Sequence, residues 1–151
     1  MQTTSRSPEA TLDLGARLAR LLSPGDVVCL EGELGTGKTV LVRGIARGLG
    51  FDGPVQSPTF TIIHLYQEQR LCHVDAFRLS GPGDLIDAGI EEYLEGDWIC
   101  AVEWAERVRA ALPAEALTAS LTFGRGEEDR IIEFAGPAGP EDLRMLAGGA
   151  G

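Results

Sequence analysis

Lys38 is the one lysine in the chain, and the rest of its 13 Lys+Arg residues are arginine. It lies in the stretch LEGELGTGKTVLV at positions 30–42, where Gly32, Gly37, Lys38 and Thr39 fit the pattern G-x-x-x-x-G-K-[ST]. Glycines let the backbone curl so that successive N–H groups point inward, and the start of a following helix adds partial positive charge. The stretch therefore predicts a phosphate-binding loop, and the competing interpretation is a flexible glycine turn before a helix.

A lysine suits such a loop because its compact ammonium can reach between the β- and γ-phosphates of a nucleotide. The planar guanidinium of arginine has the wrong shape for that point contact. The hydroxyl of the next residue, Thr39, can ligate Mg²⁺. The residues predicted to contact the ligand are Gly32, Glu33, Leu34, Gly35, Thr36, Gly37, Lys38 and Thr39.

Two carboxylates end apolar runs, Asp75 after RLCHV and Glu103 after WICAV. Ligands of α/β sheets gather at the carboxyl ends of strands, so both side chains should face the bound phosphates. One acid can hold Mg²⁺, directly or through water, while the other orients or deprotonates the attacking water. Either acid alone would be an ordinary strand-end carboxylate, and it is their joint occurrence with the loop that favours catalysis.

Other candidate residues give weaker signals. The segment QSPTF at 56–60 offers the hydroxyls of Ser57 and Thr59 either as a nucleotide-sensing switch or as a polar turn. Trp104 directly follows Glu103, and its residue type alone favours a core position. His64 and His73 lie in predicted strands without a metal-ligand arrangement around them, so we interpret both as structural.

The elements that must position these residues follow from hydrophobic patterning and turn signals. The predicted strands cover 26–32, 60–66, 71–75, 98–103, 116–123 and 130–134. The predicted helices cover 8 to about 24, 38–50, parts of 81–97, and 105–112. Ser7 is the expected cap of the first helix, whereas Gly44 and Gly48 weaken the second by propensity. Strands and helices alternate along most of the chain, and the predicted strands at 60–66 and 71–75 form a hairpin. This pattern predicts an α/β fold with a mixed sheet.

Length and charge limit the possible functions. The 151 residues, 44% of them apolar, suit a single domain over 1–151, with a glycine-rich and flexible tail expected at about 136–151. The 23 acidic residues give a net charge of −10, which repels nucleic acid. We expect no membrane span and a cytoplasmic protein with buried, reduced thiols at Cys29, Cys72 and Cys100.

In this order and spacing, the motifs GELGTGKT, SPTF, HVDAFRL, DAGIEEYL and VEWAE resemble the bacterial ATPase family of tRNA threonylcarbamoyladenosine biosynthesis, called TsaE or YjeE. The resemblance covers about residues 7–121. It implies a single-domain P-loop NTPase fold with a central mixed sheet flanked by helices, ATP or ADP with Mg²⁺ as cofactors, and a weak ATPase activity. It also implies two partner proteins of a threonylcarbamoyl-transfer complex, with tRNA reached only through that complex. The modified nucleoside implied by the resemblance is the adenosine beside the anticodon, in tRNAs that read codons starting with adenine.

The resemblance also assigns roles to single residues. It makes Lys38 a phosphate contact, Asp75 the catalytic or water-organising carboxylate, and Glu103 an acid on the Mg²⁺ side. It makes Thr59 a switch residue and places Trp104 in a second switch, against the core position favoured above. The implied catalytic residues are Lys38, Asp75 and Glu103, and the implied Mg²⁺ ligands are Thr39, Asp75 and Glu103. The motifs leave the adenine contacts unassigned.

Two departures from the family pattern and two other functions deserve mention. Thr36 occupies a position where alanine is common in the family. The chain has DAFR at 75–78 where the family usually has DLYR, so it keeps Arg78 but lacks the phenolic hydroxyl of the tyrosine. A small-molecule kinase is one alternative, although such kinases carry an arginine-rich lid, and Arg107 and Arg109 should face different ways on a helix. A nucleotide-dependent interaction module with incidental hydrolysis is the other.

Overall fold

The computed structural model of the chain describes residues 1–55, 61–137, 142, 144 and 146. Its strands are β1 (Gln2–Ser5), β2 (Val27–Glu31), β3 (Ile63–Tyr66), β4 (Leu71–Asp75), β5 (Ile99–Glu103), β6 (Leu117–Phe123) and β7 (Arg130–Ala135). Its helices are α1 (Pro8–Ala19), α2 (Lys38–Gly48), α3 (Pro82–Asp87) and α4 (Glu91–Leu94). Two 3₁₀ turns, Ala105–Arg107 and Arg109–Ala111, follow β5.

Within the described residues, the strands form one sheet of seven in the order β1-β7-β6-β2-β5-β4-β3. Its centre is parallel, because β2 pairs with β5 and β6, and β4 pairs with β5, all in the same direction. The outer strands β3, β7 and β1 pair antiparallel with their neighbours. This confirms the predicted mixed sheet and brings the carboxyl ends of β2, β4 and β5 to one edge.

The central strand β2 is apolar and buried from Val27 to Leu30 because both of its faces are covered. Val28 and Leu30 belong to the core that includes residues of α1 and α2. Val27 and Cys29 belong to the core on the opposite face, which includes residues of α3 and of the 3₁₀ turns. The three cysteines are buried and free, as predicted.

Helix α1 begins where its sequence signals place it. The Ser7 side chain accepts a hydrogen bond from the Ala10 N–H at 3.1 Å, which satisfies a donor that the first turn leaves unpaired. The helix ends at Ala19, before the predicted end near residue 24, because Leu21 and Leu22 bond to the carbonyls three residues back and tighten the chain out of the helix.

Close packing of α1 on α2 explains the glycines of α2. A Cβ placed on Gly44 would lie 2.2 Å from the Leu12 carbonyl oxygen, and one on Gly15 would lie 2.4 Å from that of Leu41. The backbones can approach this closely only because both positions lack a side chain. The low helix propensity of glycine, which would weaken α2 in isolation, is therefore offset by a close contact between helices that only glycine permits.

Two elements differ from their predictions. The edge strand β1 was not predicted, since it is short and polar, and its pairing with β7 carries no periodic signal in the sequence. The helix predicted over 105–112 is instead two 3₁₀ turns. Val108, with φ −130° and ψ 17°, interrupts it between Arg107 and Arg109.

The start of β3 and the C-terminal tail can also be compared with their predictions. Strand β3 begins at Ile63, whereas residue 60 of the predicted strand lies outside the described residues. In the tail expected to be flexible, Leu146 is buried and its carbonyl accepts a hydrogen bond from Arg17 Nη1 at 3.0 Å, so this residue packs on the core. No helix in the described part of the chain is long and apolar enough to cross a membrane.

Candidate functional site

The predicted phosphate loop connects the end of β2 to the start of α2. Its glycines have φ values of 143° at Gly32, 85° at Gly35 and 99° at Gly37, a region that side-chain-bearing residues rarely adopt. Gly37 is the N-cap of α2 and provides no side chain to satisfy the first N–H groups of the helix. These donors and the positive end of the helix dipole are suited to bind an anion.

Lys38 lies across this loop. It is only 4% exposed, and its Nζ donates to the carbonyl oxygens of Gly32 at 2.5 Å and Glu33 at 2.8 Å. The same ammonium lies 4.1 Å from the centroid of the Trp104 ring, within the range of a cation–π contact. Burial lowers the pKa of Lys38, while nearby carboxylates, Glu103 foremost, oppose the shift. A further anion beside Lys38 would compensate its desolvated charge.

The two predicted acids lie side by side at the edge of the sheet. Asp75 ends β4, Glu103 ends β5, and the two are partners in the register of these parallel strands. Glu103 is 3% exposed, and its Oε1 accepts a hydrogen bond from Thr39 Oγ1 at 2.8 Å. Asp75 Oδ1 accepts one from the Phe77 N–H at 3.0 Å. The loop and the two strand ends therefore meet, as the sequence analysis expected.

A cavity of about 370 Å³ opens where these residues meet. It is lined by Leu34, Gly35, Gly37, Lys38, Thr39, Val40, Asp75, Phe77, Glu103 and Trp104. The lining combines backbone N–H groups, one ammonium, one hydroxyl and two carboxylates. That set can hold phosphate groups and place an acid beside them.

The donor set also fits Mg²⁺. This ion prefers oxygen ligands and is commonly held by one or two carboxylates together with substrate phosphates and water. Thr39 Oγ1 and Glu103 Oε1, 2.8 Å apart, supply such oxygens at the cavity wall. Within the described ranges, no cluster of three or more His, Cys, Asp or Glu side chains is arranged to hold a metal ion by itself. A metal here would depend on phosphate oxygens to complete its coordination.

Trp104 is a half-buried wall of the cavity and not an enclosed core residue, in contrast to the position that its residue type favours. Its φ of 57° is unusual for a bulky side chain, and strained positions of this kind concentrate at functional sites. Its ring packs 5.0 Å from that of Phe77. The other predicted switch residues, Ser57 and Thr59, lie outside the described residues.

Two residues of this site, His73 and Phe77, were not predicted from the sequence. His73 is fully buried, and its Nε2 lies 2.5 Å from Glu103 Oε2, so a residue interpreted as structural touches a predicted catalytic acid. Phe77 is 42% exposed and lines the cavity. The available signal for His73 was its spacing, because residues two apart on a strand share a face and Asp75 is two residues away.

A second cavity of about 270 Å³ lies on the other side of the loop. It shares Gly35, Gly37 and Val40 with the first cavity and is also lined by Pro8, Thr11, Thr36, Glu127, Glu128 and Arg130. Arg130 Nη2 donates to the Gly35 carbonyl at 3.3 Å, which ties the β6–β7 connection to the loop. The motifs of the sequence gave no indication of this cavity.

The two arginines after β5 face different ways, as predicted. Arg109 forms an ion pair with Glu31 and donates to Thr118 Oγ1 at 3.3 Å, and none of these three residues lines the cavity. Arg107 lies 5.2 Å from the Phe77 ring and 5.5 Å from the Trp104 ring. They do not form a paired cationic lid over the loop.

Comparison with known proteins gives a consistent result. Residues 5–132 match the family model described as "Threonylcarbamoyl adenosine biosynthesis protein TsaE". A protein of Streptomyces coelicolor named tRNA threonylcarbamoyladenosine biosynthesis protein TsaE is 47% identical over 146 residues, covering 90% of this chain and 99% of that one. A Treponema pallidum protein of the same name is 42% identical over 122 residues, covering 80% of this chain and 90% of its own length. The crystal structure of YdiB from Bacillus subtilis superimposes with a TM-score of 0.77 at 34% identity, covering 97% of this chain and 90% of that one.

Proposed function

The chain belongs to the TsaE family of tRNA threonylcarbamoyladenosine biosynthesis proteins, and on that premise we propose that it is a Mg²⁺-dependent ATPase that supports this modification together with partner proteins. The observation that carries the proposal is the meeting of Lys38, Thr39, Asp75 and Glu103 around one cavity beside the phosphate loop. A fold alone would not indicate hydrolysis, whereas a loop cation, a hydroxyl and two strand-end acids in one cavity do.

In this proposal the phosphates of ATP lie over the loop. The N–H groups at the start of α2 and the Lys38 ammonium hold the β- and γ-phosphates, and Lys38 exchanges its bonds to the Gly32 and Glu33 carbonyls for phosphate oxygens. The nucleoside extends past Gly35 and Gly37 into the second cavity, between the start of α1 and the β6–β7 connection. The shared wall of the two cavities supports this direction.

The two acids take different roles because their surroundings differ. Glu103 is bonded to Thr39, so this pair supplies the oxygens on the metal side. Mg²⁺, when bound, neutralises charge that develops on the phosphates. Asp75, on the neighbouring strand, orients the attacking water and can accept its proton. A bond forms from that water to the γ-phosphorus while the bond to the bridging oxygen breaks, which yields ADP and inorganic phosphate.

The pathway role requires other proteins in this proposal. The net charge of −10 opposes direct contact between this chain and tRNA. We therefore assign it the ATP-dependent step of a threonylcarbamoyl-transfer complex with two partner proteins. Its three buried, free thiols suit the reducing conditions of the cytoplasm.

The experiment that tests the proposal combines the purified chain, the two partner proteins and unmodified tRNA, and follows phosphate release and tRNA modification together. We expect slow ATP hydrolysis by the chain alone, faster hydrolysis with the partners, and multiple-turnover modification only when all components and Mg²⁺ are present. Equal multiple-turnover modification without this chain would refute the pathway role. Modification that depends on ATP binding but proceeds equally with a non-hydrolysable analogue would instead identify a nucleotide-dependent interaction module.

A further inference from the structure

We propose that His73 is a positioning residue that holds the Glu103 carboxylate in the orientation needed on the metal side of the site. The inference rests on the proposed function, because it assigns a residue to the support of that same site. It is carried by a buried hydrogen-bond arrangement in which His73 and Thr39 occupy different oxygens of one carboxylate.

The two contacts fix Glu103 from opposite sides. Thr39 Oγ1 donates to Oε1 at 2.8 Å, and His73 Nε2 lies 2.5 Å from Oε2. His73 is 0% exposed and Glu103 is 3% exposed, so water does not compete freely for either bond. With both oxygens held, the carboxylate cannot turn without breaking a buried hydrogen bond.

The orphaned nitrogen of His73 indicates where its proton lies. Among the described residues, His73 Nδ1 is the buried side-chain polar atom without a hydrogen-bond partner. A proton on Nδ1 would be a buried donor with no acceptor, whereas an unprotonated Nδ1 leaves only a lone pair unmatched. The geometry therefore favours the tautomer with its proton on Nε2, which donates to Glu103 Oε2. This hydrogen bond is directional.

His73 would continue to support Glu103 with Mg²⁺ bound. A hydroxyl can bind a cation through an oxygen lone pair while its O–H still donates, so Thr39 could hold the ion and keep its bond to Oε1. His73 would hold the other oxygen, Oε2, and so limit rotation of the carboxylate. Partners of this kind orient the groups that contact a metal, and their removal commonly costs about 10- to 100-fold in metal affinity or activity.

Two amide substitutions separate positioning from packing. The side-chain nitrogen of His73→Gln can reach about as far as Nε2, whereas that of His73→Asn reaches only about as far as Nδ1. Binding of a non-hydrolysable ATP analogue is measured by calorimetry with Mg²⁺ and with EDTA. For His73→Asn we expect near wild-type affinity in EDTA and loss of about tenfold or more of the affinity gain that Mg²⁺ provides. His73→Gln should keep most of that gain.

Equal losses in the two variants, or an unchanged Mg²⁺ gain in His73→Asn, would overturn the proposal. If His73→Asn does not fold, ¹⁵N NMR of the wild-type imidazole decides the matter. A proton on Nε2, with an N–H resonance that changes in Glu103→Gln, supports the assignment, and a ring with its proton on Nδ1 alone contradicts it. Because the NMR measurement needs no nucleotide, failure of the wild-type chain to bind the Mg²⁺–ATP analogue would count against the proposed function and not against this pairing.

Discussion

At the scale of single residues, the surroundings of Lys38 show why one position of this arginine-rich chain is a lysine. Its ammonium fits between two loop carbonyls and the face of Trp104, at 2.5, 2.8 and 4.1 Å. A guanidinium is larger and presents its donors in a fixed fork. It could not make the same contacts in the enclosed space that Lys38 occupies, since this residue is only 4% exposed. The residue type is thus determined by the space as well as by the charge.

The variant Lys38→Ala should lose nucleotide affinity without losing the fold. Hydrogen bonds to charged groups contribute about 1.5–3 kcal/mol each, so we expect affinity for the ATP analogue to fall about 10- to 100-fold in calorimetry. Arg47→Ala is a matched control, because it removes one cation from the exposed last turn of the same helix. Wild-type affinity in Lys38→Ala would refute the assignment of the phosphate loop.

The variant Asp75→Asn should separate binding from hydrolysis. If this carboxylate acts on the attacking water, removal of its charge should slow single-turnover hydrolysis by about 10²- to 10⁴-fold and leave nucleotide affinity close to that of the wild type. Asp97→Asn makes the same chemical change at an exposed residue before the opposite end of β5. Parallel losses of binding and turnover in Asp75→Asn would mean that Asp75 holds the nucleotide instead.

At the scale of elements, the parallel pairing of β4 with β5 and the packing of α1 on α2 position the site. The first places Asp75 beside Glu103, and the second fixes α2, whose first residues are Lys38 and Thr39. Both depend on backbone geometry more than on any one side chain. A change in the α1–α2 contact should therefore affect the stability of the scaffold before it affects the chemistry.

Gly44→Ala tests that contact. Its Cβ would lie 2.2 Å from the Leu12 carbonyl oxygen, so the two helices must separate, at a cost of about 1–3 kcal/mol in the free energy of unfolding. Gly83→Ala is the control, because a Cβ there meets no atom within 4 Å and alanine has the higher helix propensity in α3. Denaturant titration should show a large loss for Gly44→Ala and none for Gly83→Ala, and similar stabilities would contradict the close approach of α1 and α2.

At the scale of the whole molecule, a sheet covered on both faces leaves the thiol of Cys29 without water. Burial raises the pKa of Cys29 from 9.0 to about 11, with Arg109 opposing the shift. Between these values the unfolded chain loses the proton while the folded chain keeps it. The contribution of this thiol to stability is thus present below pH 9 and lost as the pH rises toward 11.

The wild type should accordingly lose about 1 kcal/mol of unfolding free energy between pH 8 and pH 10 that Cys29→Ala does not lose. Denaturant titrations of both proteins at the two pH values measure this difference. Because the change between the two pH values is taken within each protein, the loss of unfolding free energy caused by the alanine cavity cancels. An equal pH dependence in the two proteins would show that Cys29 titrates as an exposed thiol.

The net charge of −10 leads to a prediction about tRNA. Neutralisation of phosphates by cationic side chains supplies most non-specific affinity, so the chain alone should give no tRNA binding above background at physiological salt. In a filter or gel assay, retention of tRNA should require the partner proteins. Tight, salt-sensitive binding by the chain alone would mean that its twelve arginines form a basic surface despite the acidic total.

Several features of this protein follow from local sequence, and the structure agrees with them. The glycine turn between β2 and α2, the cap at Ser7, the doubly buried strand β2 and the strand-end positions of Asp75 and Glu103 each depend on residue types within a few positions of one another. Backbone conformation, capping and hydrophobic burial act over that range, so a pattern of letters is sufficient to predict them. The same patterns carried the resemblance to the family.

Other features were decided only by the tertiary structure, because they join residues far apart in the chain. The bond between His73 and Glu103, the half-buried position of Trp104, the need for glycine at position 44 and the second cavity between α1 and the β6–β7 connection all depend on which elements pack together. Strand β1 belongs with them, since its pairing partner β7 lies at the other end of the sequence. Local propensity does not indicate which distant residues will become partners. The free energy that selects these partners comes from packing and hydrogen bonds that form only when the sheet is assembled.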